Sequence, residues 1–253
     1  SLLLVAFCYF RKLAVISAKM LQIIKDAFNL LTFRITREAM LNFSRNHLIF
    51  GLVCTWLVGI GRYWDNPRVG ILHHFGVGSV IYIFALSLFL WLLIYPLKPK
   101  DWTYFRVLTF VSLVSPPAVL YSIPVELFTD MPTANTINAW FLLIVSLWRV
   151  SLLVFFLRRF AELKWLPTIT AAILPLNIIV VGLTVLNLEK VVFNIMGGMD
   201  NSSPNQDAYT ILFLISILSI YIFPVALVFY IVCIVFAHNE TENQFTRKIF
   251  GRK

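Results

Sequence analysis

The chain has 253 residues, 60% of them hydrophobic and only 13% charged, with a mean hydropathy of +0.85. A soluble domain carries about 25% charged residues, so a water-soluble fold of this composition is excluded and an all-α polytopic membrane protein is expected. The net charge of +9 is gathered between long apolar runs, the pattern of a protein that keeps Lys and Arg on the cytoplasmic side, and this argues against a nucleic-acid partner.

The first residue is Ser1, and Met20 reads as a start. Leu2 to Phe10 is apolar, but Arg11 and Lys12 follow it and no small-residue cleavage site appears, so no cleaved signal is expected. From Met20 to Arg45, Leu21, Ile24, Phe28, Leu31 and Ile35 recur at three- and four-residue steps, with Lys25, Arg34, Arg37 and Arg45 largely on other faces. The pattern predicts a basic amphipathic helix, either lying on the membrane surface or packed against the bundle. Residues 1–46 are thus read as a cytoplasmic N-terminal segment.

Six apolar segments follow, from His47 to Gly61, Val77 to Leu97, Val107 to Ile123, Ala139 to Leu157, Leu166 to Leu188 and Tyr209 to Ala237. They predict a transmembrane domain over 47–237 of about six helices, the first the shortest, and a basic tail over 238–253. Six spans put seventeen Lys and Arg on the side of the N-terminal segment, second loop, fourth loop and tail, against three (Arg62, Arg68, Lys190) on the other. The richer side is expected to be cytoplasmic, with both termini there. Trp64, Tyr95, Trp102, Trp140 and Trp165 lie near predicted boundaries, where an amphipathic ring favours the interface.

Arg149 is alone in charge near the middle of a predicted span, where a cation costs at least about 2.5–3.5 kcal/mol. It requires a partner, and two readings stand: an anion or headgroup site, with Glu126 at the outer end of the third helix as partner, or an interhelical clamp. Ser115-Pro116-Pro117 breaks the third helix, which either frees carbonyls for cargo or only kinks the chain. Pro175, Asn177 and Pro224 add kinks and one amide able to bridge helices. Gly51, Gly59 and Gly61, with Gly76 and Gly78, permit close helix packing.

Adjacent His73 and His74 point about 100° apart on a helix and make a poor metal pair; with only His47 and His238 besides, no metal site is expected. Cys8, Cys54 and Cys233 form no CxxC and sit in apolar stretches, so neither disulfides nor thiolate metal sites are indicated. Asp65 and Asp101, beside Trp64 and Trp102, read as interfacial anchors. No phosphate-binding loop, dinucleotide fingerprint or nucleophile elbow is present, and no cofactor is expected. Asn201-Ser202-Ser203 fits a glycosylation triplet in a loop rich in Gly, Asn, Ser and Pro.

The run RVLTFVSLVSPPAVLYSIP (Arg106 to Pro124), followed by WFLLIVSLWRVSLLVFFLRRF (Trp140 to Phe160), resembles the core of the Yip (Ypt-interacting protein) family of small polytopic membrane proteins. The resemblance implies a membrane organiser working through protein and lipid partners, with a cytoplasmic N-terminus; members typically have five spans, one fewer than counted here. The expectation from all of this is a non-enzymatic scaffold or accessory subunit in a bacterial cytoplasmic membrane, with membrane lipids and a membrane-protein partner or a second copy as its partners. The competing expectation is a small transporter or channel whose site uses Arg149, Glu126, Ser115 and Asn177.

Overall fold

The computed structural model describes residues 2–62, 71–192 and 206–250, and every regular element among them is helical. The N-terminal helix α1 (Leu2–Leu31) ends where Phe33 takes a left-handed φ of 60° and the amides of Arg34 and Ile35 fold back onto Asn29 O. The Trp148 indole donates to Leu31 O (3.0 Å), docking this end on a later helix. A short α2 (Arg37–Leu41) follows, with Thr36 Oγ1 accepting from the Ala39 amide, and Ser44 then opens α3 (Arg45–Gly61). The single helix expected from Met20 to Arg45 is therefore interrupted, because Thr36 and Ser44 are both good N-caps.

The faces of α1 also separate. Ile23, Ala27 and Leu30 are buried, whereas Leu21, Ile24 and Phe28 of the stripe picked out by periodicity are 68%, 46% and 60% exposed; the stripe's last two members depart from it, Leu31 being half-buried against the core and Ile35, beyond the end of α1, buried in it. The N-terminal part of the stripe thus faces away from the protein, where it suits contact with lipid, while its C-terminal part packs on the bundle.

Beyond α4 (Ile71–His74), α5 (Val77–Ile94) continues through a 3-10 turn to Leu97, matching the expected second segment. Helix α6 (Tyr104–Leu113) and the 3-10 segment Pro116–Ser122 meet at a 41° bend. Helix α7 (Met131–Arg159) starts eight residues before the expected Ala139, because Asp130 caps it through the Thr133 amide (3.4 Å) and Pro132 suits its first turn. Helix α8 (Trp165–Val185) carries Pro175 within it. The last helix, α9 (Gln206–Phe250), has 45 residues, about 67 Å at the usual rise, and continues helically through most of the region read as a tail.

Four helical stretches among the described residues, Val77–Leu97, Pro132–Arg159, Trp165–Val185 and Tyr209–Asn239, are long and apolar enough to cross a membrane, and the bent pair makes five. Helix α3, at 17 residues, is too short to count by length alone. Its neighbours show where it runs. A Cβ on Gly51 would sit 2.9 Å from Ser112 Cβ, Thr55 Oγ1 reaches Ser115 Oγ, and a Cβ on Gly61 would sit 3.1 Å from Ser122 Cβ. The sequence offset is nearly constant, so α3 lies parallel to the broken α6 stretch along its length.

The glycine expectation is met at Gly51, Gly59 and Gly61, which press on Ser112, Ser79 and Ser122, and at Gly76, whose φ of 64° and approach to Trp56 O exclude a side chain. Gly78 departs from it, since nothing lies within 4 Å of an added Cβ. The aromatic core lies between α6 and the C-terminal end of α7, where Phe110 stacks on Phe156 (4.0 Å between centroids) and Phe156 on Phe160 (4.7 Å). Trp102 belongs to this core, 8% exposed and donating to Trp91 O, and so is not an interfacial anchor; Tyr95, Trp140 and Trp165 remain exposed. Trp64, Asp65, Arg68 and the Asn201 triplet lie outside the described residues.

Candidate functional site

The break after α6 sets up the candidate site. Pro116 and Pro117 bring no amide hydrogens, and the chain tightens so that the Ala118 amide bonds Ser115 O (2.9 Å). The Val114 carbonyl is thereby denied the amide four residues on. From α7, Arg149 Nε donates to Val114 O (3.3 Å) and Nη2 lies 3.5 Å from Ser115 O. The cation thus satisfies backbone that the prolines set free, which is the clamp reading of Arg149 realised in contacts.

Ser115 is 1% exposed, and the Thr55 hydroxyl of α3 donates to its Oγ (2.7 Å). One point therefore joins α3, the broken helix and α7. Asn177 is buried too, but its Nδ2 donates to Ile173 O of its own helix (3.1 Å), and no hydrogen bond joins it to Arg149 or Ser115 among the described residues. Glu126 falls in the 3-10 turn Val125–Leu127, and its side chain lies outside the described residues. Arg149 forms no ion pair among the described residues. Two of the four candidates, Arg149 and Ser115, are thus brought together.

A second polar cluster went unread in the sequence. His47 Nε2 lies 3.2 Å from Asp26 Oδ2, while Gln22 donates to Asp26 Oδ1 (2.9 Å). The other ring nitrogen, Nδ1, accepts from the Ser44 amide (3.2 Å) and lies 2.9 Å from Ser44 Oγ. An amide can only donate, so Nδ1 is the acceptor and the ring proton faces Asp26. Both Asp26 and His47 are under 10% exposed, and the pair ties α1 to the start of α3. The legible signal was Ser44 three residues before His47, a capping box with imidazole in the usual glutamate place. Asp26, twenty-one residues away, gave none.

A third cluster gathers loops. Arg37 pairs with Asp101 (2.6 Å) and Glu162 (2.9 Å), Lys100 pairs with Glu162, and Arg106 donates to Asp101 O (2.9 Å). Asp101 is thus part of an ionic node and not only an interfacial anchor. The Lys100 hydrogen bond, with Arg37 beside it, holds the Glu162 carboxyl below its usual range. Among the described residues no three His, Cys, Asp or Glu side chains converge as metal ligands.

No protein-family model, curated protein or solved structure matches this chain.

Proposed function

We propose that the chain is a membrane scaffold or accessory subunit that crosses the bilayer six times, with both termini on the cytoplasmic face of a bacterial inner membrane, and that it acts without catalysing a reaction. The observation that carries this reading is how intramembrane polar groups are used. Arg149 is engaged with the Val114 and Ser115 carbonyls, Thr55 with Ser115, and Asn177 with its own helix. With Arg149 and Thr55 spent on joining helices and Asn177 turned back on its own helix, the lipid-facing perimeter is left as the working surface, for lipids and for a membrane-protein partner or a second copy.

The sixth span is α3. Seventeen residues rise about 26 Å, close to the hydrocarbon thickness, and α3 accompanies the broken helix throughout. The orientation rests on the seventeen Lys and Arg grouped at one side.

The test is native mass spectrometry of protein released gently with its own lipids. A stable membrane-protein partner or a defined homo-oligomer is the expected result; a bare monomer that turns over a lipid or peptide substrate overturns the reading. One observation favours a second reading, a small transporter or channel: the chain bends by 41° at the proline break where Arg149 docks. That reading predicts that Arg149→Ala abolishes anion flux in proteoliposomes while insertion is retained, and unchanged flux would sink it.

A further inference from the structure

We propose that two copies of the chain pair in the membrane through the face of α9 that carries Tyr221 and Pro224; this rests on the scaffold reading above and names the partner it leaves open. Helix α9 packs along one side on α8, with Ser216, Ser219, Ala226 and Cys233 buried on that side. Tyr221 stands two residues, about 200°, round from Ser219, and it is 74% exposed. On its side Leu214, Ile217, Tyr221, Pro224, Val228 and Ile231 recur at steps of three and four, all exposed. That spacing is the seam along which two parallel helices interdigitate.

The depth of this seam follows from a neighbour. The Tyr230 hydroxyl donates to Leu93 O (2.6 Å), and six residues before Leu93 lies Ser87, the midpoint of the Val77–Leu97 span. Both helices run in the same direction, since each starts a span at the end opposite this contact. Six residues before Tyr230 is Pro224, which is also the midpoint of Tyr209–Asn239. Pro224 and Tyr221, one helical turn apart, therefore lie in the middle of the hydrocarbon.

Two polar groups are unmet there. Pro224 brings no amide hydrogen, so the Ile220 carbonyl is denied the donor four residues on. Among the described residues nothing meets the Tyr221 hydroxyl. Lipid tails cover the apolar part of the face but offer neither a donor nor an acceptor. A second copy offers both. Copies inserted in one orientation are related by a two-fold axis along the membrane normal, which sets every residue at the depth of its counterpart. Each Tyr221 hydroxyl can then donate to the Ile220 carbonyl of the other copy, one residue away in sequence, and both unmet groups are satisfied twice over.

The test uses the full chain with its native cysteines replaced. Val228→Cys lies in the seam, and Leu227→Cys, exposed but about 100° round from it, is the control. Copper-phenanthroline oxidation in native membranes is expected to give a covalent dimer from Val228→Cys and little from Leu227→Cys. Dimer affinity is read by energy transfer between labelled chains diluted in lipid vesicles. Tyr221→Phe removes the donor and keeps the ring, and Pro224→Ala returns an amide to Ile220 O; each is expected to weaken pairing by about tenfold. Equal cross-linking at both positions, none at Val228→Cys, or pairing unchanged in both variants overturns the proposal. Native mass spectrometry separates that failure from failure of the scaffold reading: a different membrane protein bound to the chain overturns pairing through α9 alone, whereas a bare monomer with catalytic turnover overturns both.

Discussion

His47 is held at both nitrogens, and each contact has a measurable consequence. Its Nδ1 accepts the Ser44 amide and its Nε2 faces Asp26, whose other oxygen is taken by Gln22. Replacing His47 with Leu leaves a buried carboxylate oxygen without a donor, and the expected cost is about 2–3 kcal/mol in reversible denaturant unfolding. Removing both partners in His47→Leu/Asp26→Leu relieves that penalty, so the double variant should cost less than the sum of the singles. Strict additivity would show that the pair is uncoupled. Sequence reading weighed His47 only as a metal ligand and rejected it. That rejection concerned metals alone, and the pairing to Asp26 depends on α1 folding back over α3, which no local pattern encodes.

At the level of elements, the glycines of α3 were legible and one glycine of α5 was misread. Gly51 faces the Ser112 backbone, with an added Cβ 2.9 Å from its carbonyl carbon, so Gly51→Ala should force α3 and α6 apart at about 1–3 kcal/mol. Gly78 has open space, and Gly78→Ala should instead stabilise α5 by up to about 1 kcal/mol through helix propensity. The pair of measurements sits on one protein in one detergent; a harmless Gly51→Ala would mean that the two helices are not in contact there. Spacing of small residues showed that something packs closely but not which glycine meets a neighbour. Element boundaries followed the same rule. The Val77–Leu97 span was visible because hydropathy alone defines it, whereas the start of α7 depended on Asp130 and Pro132, and the end of α1 on one left-handed residue, Phe33. That Arg149 and the Ser115-Pro116-Pro117 break each need partners was legible, because a cation within a span and a proline break both require satisfaction, but not that the two meet; Asn177 was not separable from them, since an amide can turn back on its own helix.

For the whole molecule, the ionic node fixes which loops share an end before any membrane is considered. Arg37, Lys100, Asp101 and Glu162 bind the N-terminal segment and the loops after α5 and α7 together. Because the Glu162 carboxyl is held below its usual range, the node's contribution is fully present above the unfolded glutamate value of about 4.5 and is lost as pH falls through the lower folded value. Glu162→Gln should remove that acid dependence, and hydrogen exchange at residues 160–164 between pH 3 and 6 is the check; an unchanged profile would place the acid response elsewhere. The node leaves open which face its end occupies and whether α3 crosses, and both are decided by one labelling series. In a chain with its native cysteines replaced, Asn46→Cys sits in the first turn of α3 and Arg68→Cys follows it in sequence, while Lys98→Cys marks the node. Six spans with the node inside predict that an impermeant maleimide labels only Arg68→Cys in intact cells, the other two reacting after permeabilisation. Labelling of Asn46→Cys and Arg68→Cys from one side would reduce α3 to a helix packed within the bundle, and the parallel run from Gly51 to Gly61 would then describe a re-entrant element beside the broken helix. Labelling of Lys98→Cys in intact cells would invert the protein and leave seventeen cations facing outward, against the charge bias that set the orientation.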